Sequence, residues 1–134
     1  MGGFFGVVSK RDCVLDLFFG ADYHSHLGTV RGGMAVYDAQ LGFQRQIHDI
    51  SNTPFRTKFE KDIEEFHGNC GLACISDTDP QPLLVRSALG LYAIATVGII
   101  NNAEELIQQC FCGTCHQFMV RSSGKVNDSE LIAA

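Results

Sequence analysis

Apolar and polar residues recur along this chain with two periods, one typical of helices and one typical of strands. The clearest helical pattern has apolar residues spaced by four, four and three positions: Phe55, Phe59, Ile63 and Phe66. This spacing puts them on one side of a helix. Thr53 is a suitable N-cap, and Pro54 suits the first helical position because its missing N–H costs nothing there. We therefore predict one continuous helix over 54–66.

Short apolar and β-branched runs predict several strands. They cover Phe4–Ser9, Gly33–Asp38, Gly42–Asp49, Cys70–Ser76, Leu83–Ser87, Leu91–Ile99 and Gln117–Arg121. The Leu91–Ile99 run is nearly all apolar, so we expect it to be central in a sheet. Shorter helices are predicted over Asp12–Phe18, from Asn102 to about Gly113 and from Asn127 onward, and a loop around Gly20 and His24–Gly28. Strands interleaved with a few helices indicate an α+β fold.

Composition narrows the class of protein. The chain has 134 residues, of which 46% are hydrophobic and 19% charged, so we expect one compact domain with a buried core. The net charge of −5, without a basic run, argues against a nucleic-acid partner. No apolar stretch approaches the roughly 20 residues needed to cross a bilayer, and the N-terminus has no secretory signal. We therefore expect a cytoplasmic protein with no membrane partner.

Five short segments carry a resemblance to one family. They are Met1–Val7 (Met-Gly-Gly-Phe-Phe-Gly-Val), Arg31–Tyr37, Pro80–Pro82, Thr96–Leu106 and Asn127–Glu130. In order, they are similar to the Met-Cys-Gly-Ile-Phe-Gly, His-Arg-Gly, Asn-Ala-Gln-Pro, His-Asn-Gly-Asn and Ser-Asp-Ser-Glu segments of the class II glutamine amidotransferases. The stretch from Asp22 to Gly28 looks most like a divergent bacterial amidophosphoribosyltransferase.

This resemblance implies a fold, a reaction and partners. The fold would be the αββα sandwich of antiparallel sheets of the N-terminal-nucleophile type, C-terminally truncated, with residues 1–134 as its N-terminal part. The family releases ammonia from glutamine and joins it to phosphoribosyl pyrophosphate in purine synthesis. The implied partners are a C-terminal transferase domain outside this chain and glutamine or another ammonia donor, and a homo-oligomer is allowed. No cofactor is expected here; magnesium would belong to the transferase domain.

The resemblance also implies that glutamine hydrolysis is lost. The family attacks the side-chain amide with a cysteine thiolate, and its position is Gly2 in this chain. The family's carboxylate-binding arginine falls on Ser76, and its oxyanion-binding asparagine falls on Val97. Cys13 is the candidate for a replacement nucleophile, although a buried structural thiol is the favoured interpretation. We expect no catalytic residue, and whether the protein is an enzyme stays open.

Three positions keep the family's substrate-binding residue types. Arg31 matches the arginine near the nucleophile, Gly98 matches the glycine beside the oxyanion site, and Asp128 matches the aspartate that binds the substrate amino group. The resemblance therefore implies a vestigial glutamine site at these residues, in a domain that has become structural or regulatory.

A cysteine cluster allows a different function. Cys110, Cys112, Cys115 and His116 lie within seven residues and include a Cys-x-x-Cys-His pattern. Haem attachment is rejected because it takes place outside the cytoplasm. A zinc-binding interaction module remains the alternative, although structural zinc sites usually use two separated ligand pairs, which Cys70 and Cys74 would have to complete. Packing of structural thiols is the favoured interpretation.

Overall fold

The computed structural model describes residues 2–28, 30–113, 117–120 and 124–134. The chain divides into two compact units, one up to Val97 and one from Gly98 to Ala134. The first contains β1 (Gly3–Val8), α1 (Val14–Tyr23), a 3-10 turn (Ser25–Leu27), β2 (Arg31–Asp38), β3 (Gly42–Asp49), α2 (Phe55–Phe59), α3 (Asp62–Glu65), β4 (Cys70–Ser76), β5 (Leu83–Ser87) and β6 (Gly90–Ile94). The second contains α4 (Ala103–Gly113) and α5 (Asp128–Ala133).

The centre of the first unit is a four-stranded antiparallel sheet in the order β1-β4-β2-β3. Strands β1 to β5 lie where the sequence predicted them, to within two residues. One face of the sheet packs against α1 and α2 through a core of buried side chains: Val14, Leu17, Phe18, Met34, Val36, Phe55, Phe59, Ala73 and Ile75. The predicted α+β class with antiparallel sheets is therefore confirmed.

Helix α1 is longer than predicted. It continues through Gly20 to Tyr23, so the loop predicted at Gly20 is wrong. The glycine has a packing role, because a Cβ at Gly20 would lie 2.2 Å from the ring of Phe5 on β1. A glycine that lets a helix approach a strand was thus mistaken for a helix terminator.

The continuous helix predicted over 54–66 divides into α2 and α3. The backbone stays helical at Glu60 and Lys61, but the N–H of Glu64 donates to the carbonyl of Lys61, a tighter bond between residues three apart. The predicted cap is also wrong, since Pro54 itself is the N-cap of α2 and has no side-chain cap bond. The apolar stripe still reaches the core, where the Phe55 and Phe59 rings stack with centroids 4.3 Å apart.

The strand predicted over Leu91–Ile99 is shorter and not central. Strand β6 ends at Ile94 and, in the described part of the chain, pairs only with β5. The chain leaves the sheet here because the N–H of Thr96 donates to the side chain of Gln81 at 2.6 Å. Residues 92–96 of this run are partly buried, whereas Leu91, Val97 and Ile99 are exposed, so the apolar sequence did not indicate a strand inside a sheet.

The second unit is built on its two predicted helices. Asn127 caps α5, since its Oδ1 accepts from the N–H of Ser129 at 2.8 Å. The strand predicted over Gln117–Arg121 is reduced to an isolated bridge between Val120 and Val126, and Arg121 lies outside the described residues. Within the described ranges, no helix of either unit is long and apolar enough to cross a membrane.

Candidate functional site

The ends of three strands lie side by side at one end of the four-stranded sheet. In the register, Gly3 at the start of β1 lies opposite Ile75 near the end of β4, and Arg31 at the start of β2 lies opposite Ser76. The sheet therefore gathers Gly2, Ser76 and Arg31, which the sequence placed far apart. We call these three residues the strand-end site.

Gly2 has no space for a side chain. A Cβ built on it would lie 2.5 Å from the carbonyl oxygen of Ile75, closer than real Cβ contacts come. The obstacle is a backbone atom near the end of β4, where Ile75 pairs with both β1 and β2, so it cannot rotate away as a side chain could. A residue other than glycine would require β1 and β4 to separate locally.

Ser76 has a structural role of its own. Its hydroxyl accepts hydrogen bonds from the N–H groups of Thr78 and Asp79, both at 3.2 Å, and the residue is only 7% exposed. Such a bond organises the turn that follows the strand. The position that the resemblance assigns to a substrate-binding arginine is thus a buried turn residue.

Arg31 is exposed at the surface of the site. In the β2–β3 register, Arg31 lies opposite Asp49. The pKa of Asp49 is held below its ordinary value. The hydroxyl and N–H of Ser51 are the main causes, and the charge of Arg31 is a smaller one. Arg31 is therefore an accessible cation that could pair with a carboxylate from solution.

A buried amide lies behind the strand-end site. The Gln81 Oε1 accepts from the N–H of Thr96 at 2.6 Å and from the thiol of Cys74 at 3.6 Å. Gly33 on β2 allows this approach, since a Cβ there would lie 1.7 Å from the carbonyl oxygen of Gln81. Sequence reasoning noted the Pro80–Pro82 segment but missed that Gln81 ties β4 to the residues after β6. The proline on each side was the available signal.

The buried thiols of the first unit are not suited to attack a substrate. Burial raises the pKa of Cys74 to about 12. Burial is also the main cause that raises the pKa of Cys13, and the charge of Asp12 adds to it. Cys13 lies fully buried at the start of α1, which agrees with its interpretation as a structural thiol. Both groups remain protonated at neutral pH, and a thiol attacks as the thiolate.

The other predicted site residues lie at the unit boundary or in the second unit. Val97, the last residue of the first unit, has a half-exposed apolar side chain that offers no amide. Gly98 has φ of +153°, a conformation that favours glycine, and Asp128 lies in the first turn of α5. The vestigial roles of Arg31, Gly98 and Asp128 stay predictions.

The cysteine cluster is only partly within the described residues. Cys110 is half-buried and Cys112 is exposed at the end of α4, while Cys115 and His116 fall outside the described ranges. Within those ranges, no three His, Cys, Asp or Glu side chains are grouped as metal ligands would be. Cys74 lies buried in the core of the first unit, where its thiol donates to Gln81.

Comparisons with known proteins bear on the fold. No protein-family model matches the chain, and no curated protein sequence does. A solved glutamine phosphoribosylpyrophosphate amidotransferase from B. subtilis, in complex with ADP and GMP, matches with a TM-score of 0.76 and 22% identity. A structure described as the allosteric regulatory enzyme of purine biosynthesis matches with a TM-score of 0.77 and 21% identity.

Both matches cover 99% of this chain and 28% of the other, so the chain spans less than a third of the length of these proteins. At such identities the likeness establishes the fold alone. This likeness agrees with the antiparallel sheets and the packed helices. The chain therefore has the N-terminal-nucleophile type of fold found in class II glutamine amidotransferase domains, as its motifs predicted.

Proposed function

We propose that this chain is the N-terminal part of a glutamine amidotransferase domain that no longer hydrolyses glutamine. It would serve a structural or regulatory role in an amidophosphoribosyltransferase-like enzyme of purine synthesis. The observation that carries the proposal is Gly2, because the position of the family's nucleophile has neither a thiol nor the space for one. Loss of the nucleophile costs about a millionfold in kcat in a well-studied hydrolase.

The surroundings of Gly2 support a lasting loss. The Ser76 hydroxyl is used in a buried turn, and Val97 replaces the side chain that would hold an oxyanion. Removing one oxyanion donor costs about 2.7–4 kcal/mol in a comparable site. The buried thiols of Cys13 and Cys74 are protonated at neutral pH and do not replace the nucleophile. Each loss on its own would impair glutamine hydrolysis. With all of them present, we expect that no single substitution restores the reaction.

The proposed partner is a transferase domain that follows the amidotransferase domain. The similar structures are more than three times as long as this chain, which leaves room for such a domain in a related enzyme. The transferase domain would then use ammonia from solution or from another protein in place of ammonia released from glutamine. Magnesium, if used, would be bound by the transferase domain and not by these residues.

The test is an ammonia-release assay with L-glutamine on the unmodified protein, Gly2→Cys and the double variant Gly2→Cys/Ser76→Arg. We expect no release above the protein-free blank from any of them. Because the new Cβ of Gly2→Cys meets backbone, we also expect that variant to lose about 1–3 kcal/mol of stability. Ammonia release by the unmodified protein would overturn the proposal.

Gly6→Cys is the matched control for the new thiol. It lies on the same strand, but a Cβ there meets nothing closer than 3.8 Å. It should be inactive, like Gly2→Cys, yet as stable as the parent. If Gly2→Cys alone regains glutaminase activity at parental stability, the closure of the strand-end site is refuted and the loss is a single substitution.

A further inference from the structure

We draw no further inference here: the strongest candidate, the cavity of about 390 Å³ between the four-stranded sheet and strands β5 and β6, lined by Tyr37, Phe43, Cys70 and Tyr92, lies in a domain of which this chain is proposed to be only the N-terminal part, and nothing in the structure shows what covers it.

Discussion

Substitution of Gly33 by alanine should be among the most damaging single-methyl changes in this protein. Gly33 lies on β2, and the new Cβ would lie 1.7 Å from the carbonyl oxygen of Gln81 and 2.9 Å from the ring of Pro82. The first of these atoms is backbone and cannot turn aside. The segment before β5 must therefore move away from the sheet by about 1.3 Å to reach the shortest contact that real Cβ atoms make, 3.0 Å.

The size of the effect follows from what that movement breaks. The segment is held by the bond from the Thr96 N–H to Gln81 and by a bond of 3.1 Å from Arg45 to the carbonyl of Pro82. Overpacking in a well-packed region costs about 1–3 kcal/mol, and each weakened hydrogen bond adds about 0.5–1.5 kcal/mol. We expect Gly33→Ala to lose about 3 kcal/mol. In a unit of this size that is a fall in Tm of about 12–24 °C.

Tyrosine fluorescence during urea unfolding is a suitable assay. The chain has no tryptophan and its three tyrosines all lie in the first unit, so the signal reports on the unit that contains Gly33. Gly6→Ala is the matched control, since it adds the same methyl to a strand glycine where nothing lies closer than 3.8 Å. The reasoning is refuted if Gly33→Ala unfolds within about 0.5 kcal/mol of Gly6→Ala, a difference typical of surface changes.

Three further predictions concern the thiols and the second unit. Because the pKa of Cys74 is raised from about 9 to about 12, its stabilising effect is complete below pH 9 and is lost as the pH rises toward 12. The parent should therefore lose about 1 kcal/mol more than Cys74→Ala between about pH 8 and pH 10, measured by urea unfolding with circular dichroism. Exposed Cys112 should react with iodoacetamide in the folded protein, whereas Cys74 should react only on unfolding; equal labelling rates would contradict the described burial. Asn127→Ala removes the cap of α5 and should cost about 1 kcal/mol, seen as faster amide exchange over residues 128–134 and not in the first unit.

Much of the fold could be predicted from local sequence patterns. Runs of apolar and β-branched residues located, to within two residues, five of the six strands in the described part of the chain, because such side chains suit a packed sheet. The errors arose where tertiary contacts overrode local preference. Gly20 lies inside a helix because the ring of Phe5 occupies the place where a Cβ would be. The apolar run after Gly90 leaves its sheet at Ile94 because the N–H of Thr96 donates to the side chain of Gln81.

The candidate site was less predictable than the fold. The resemblance suggested which positions differ from the family's catalytic residues, but not that the sheet register brings Gly2, Ser76 and Arg31 together at one end of the strands. Register depends on pairing across the whole sheet, which single motifs do not encode. The bonds of Ser76 within its turn and the role of Gln81 also required the structure, because both depend on backbone groups that any sequence supplies.

Gly2 and Gly33 show why glycine is hard to interpret from sequence. At both positions a backbone carbonyl occupies the place of a Cβ, that of Ile75 beside Gly2 and that of Gln81 beside Gly33. At Gly33 the consequence is packing alone. At Gly2 the same close packing falls on the position that the resemblance assigns to the nucleophile, so under the proposed function the missing thiol and the missing space both follow from one glycine. Because the Ile75 carbonyl occupies the place of a Cβ at Gly2, a change of Gly2 to cysteine should destabilise the fold whether or not it restores activity. Under the proposed loss of glutaminase activity, Gly2 therefore serves the packing of β1 against β4, which is the physical basis for expecting a structural role.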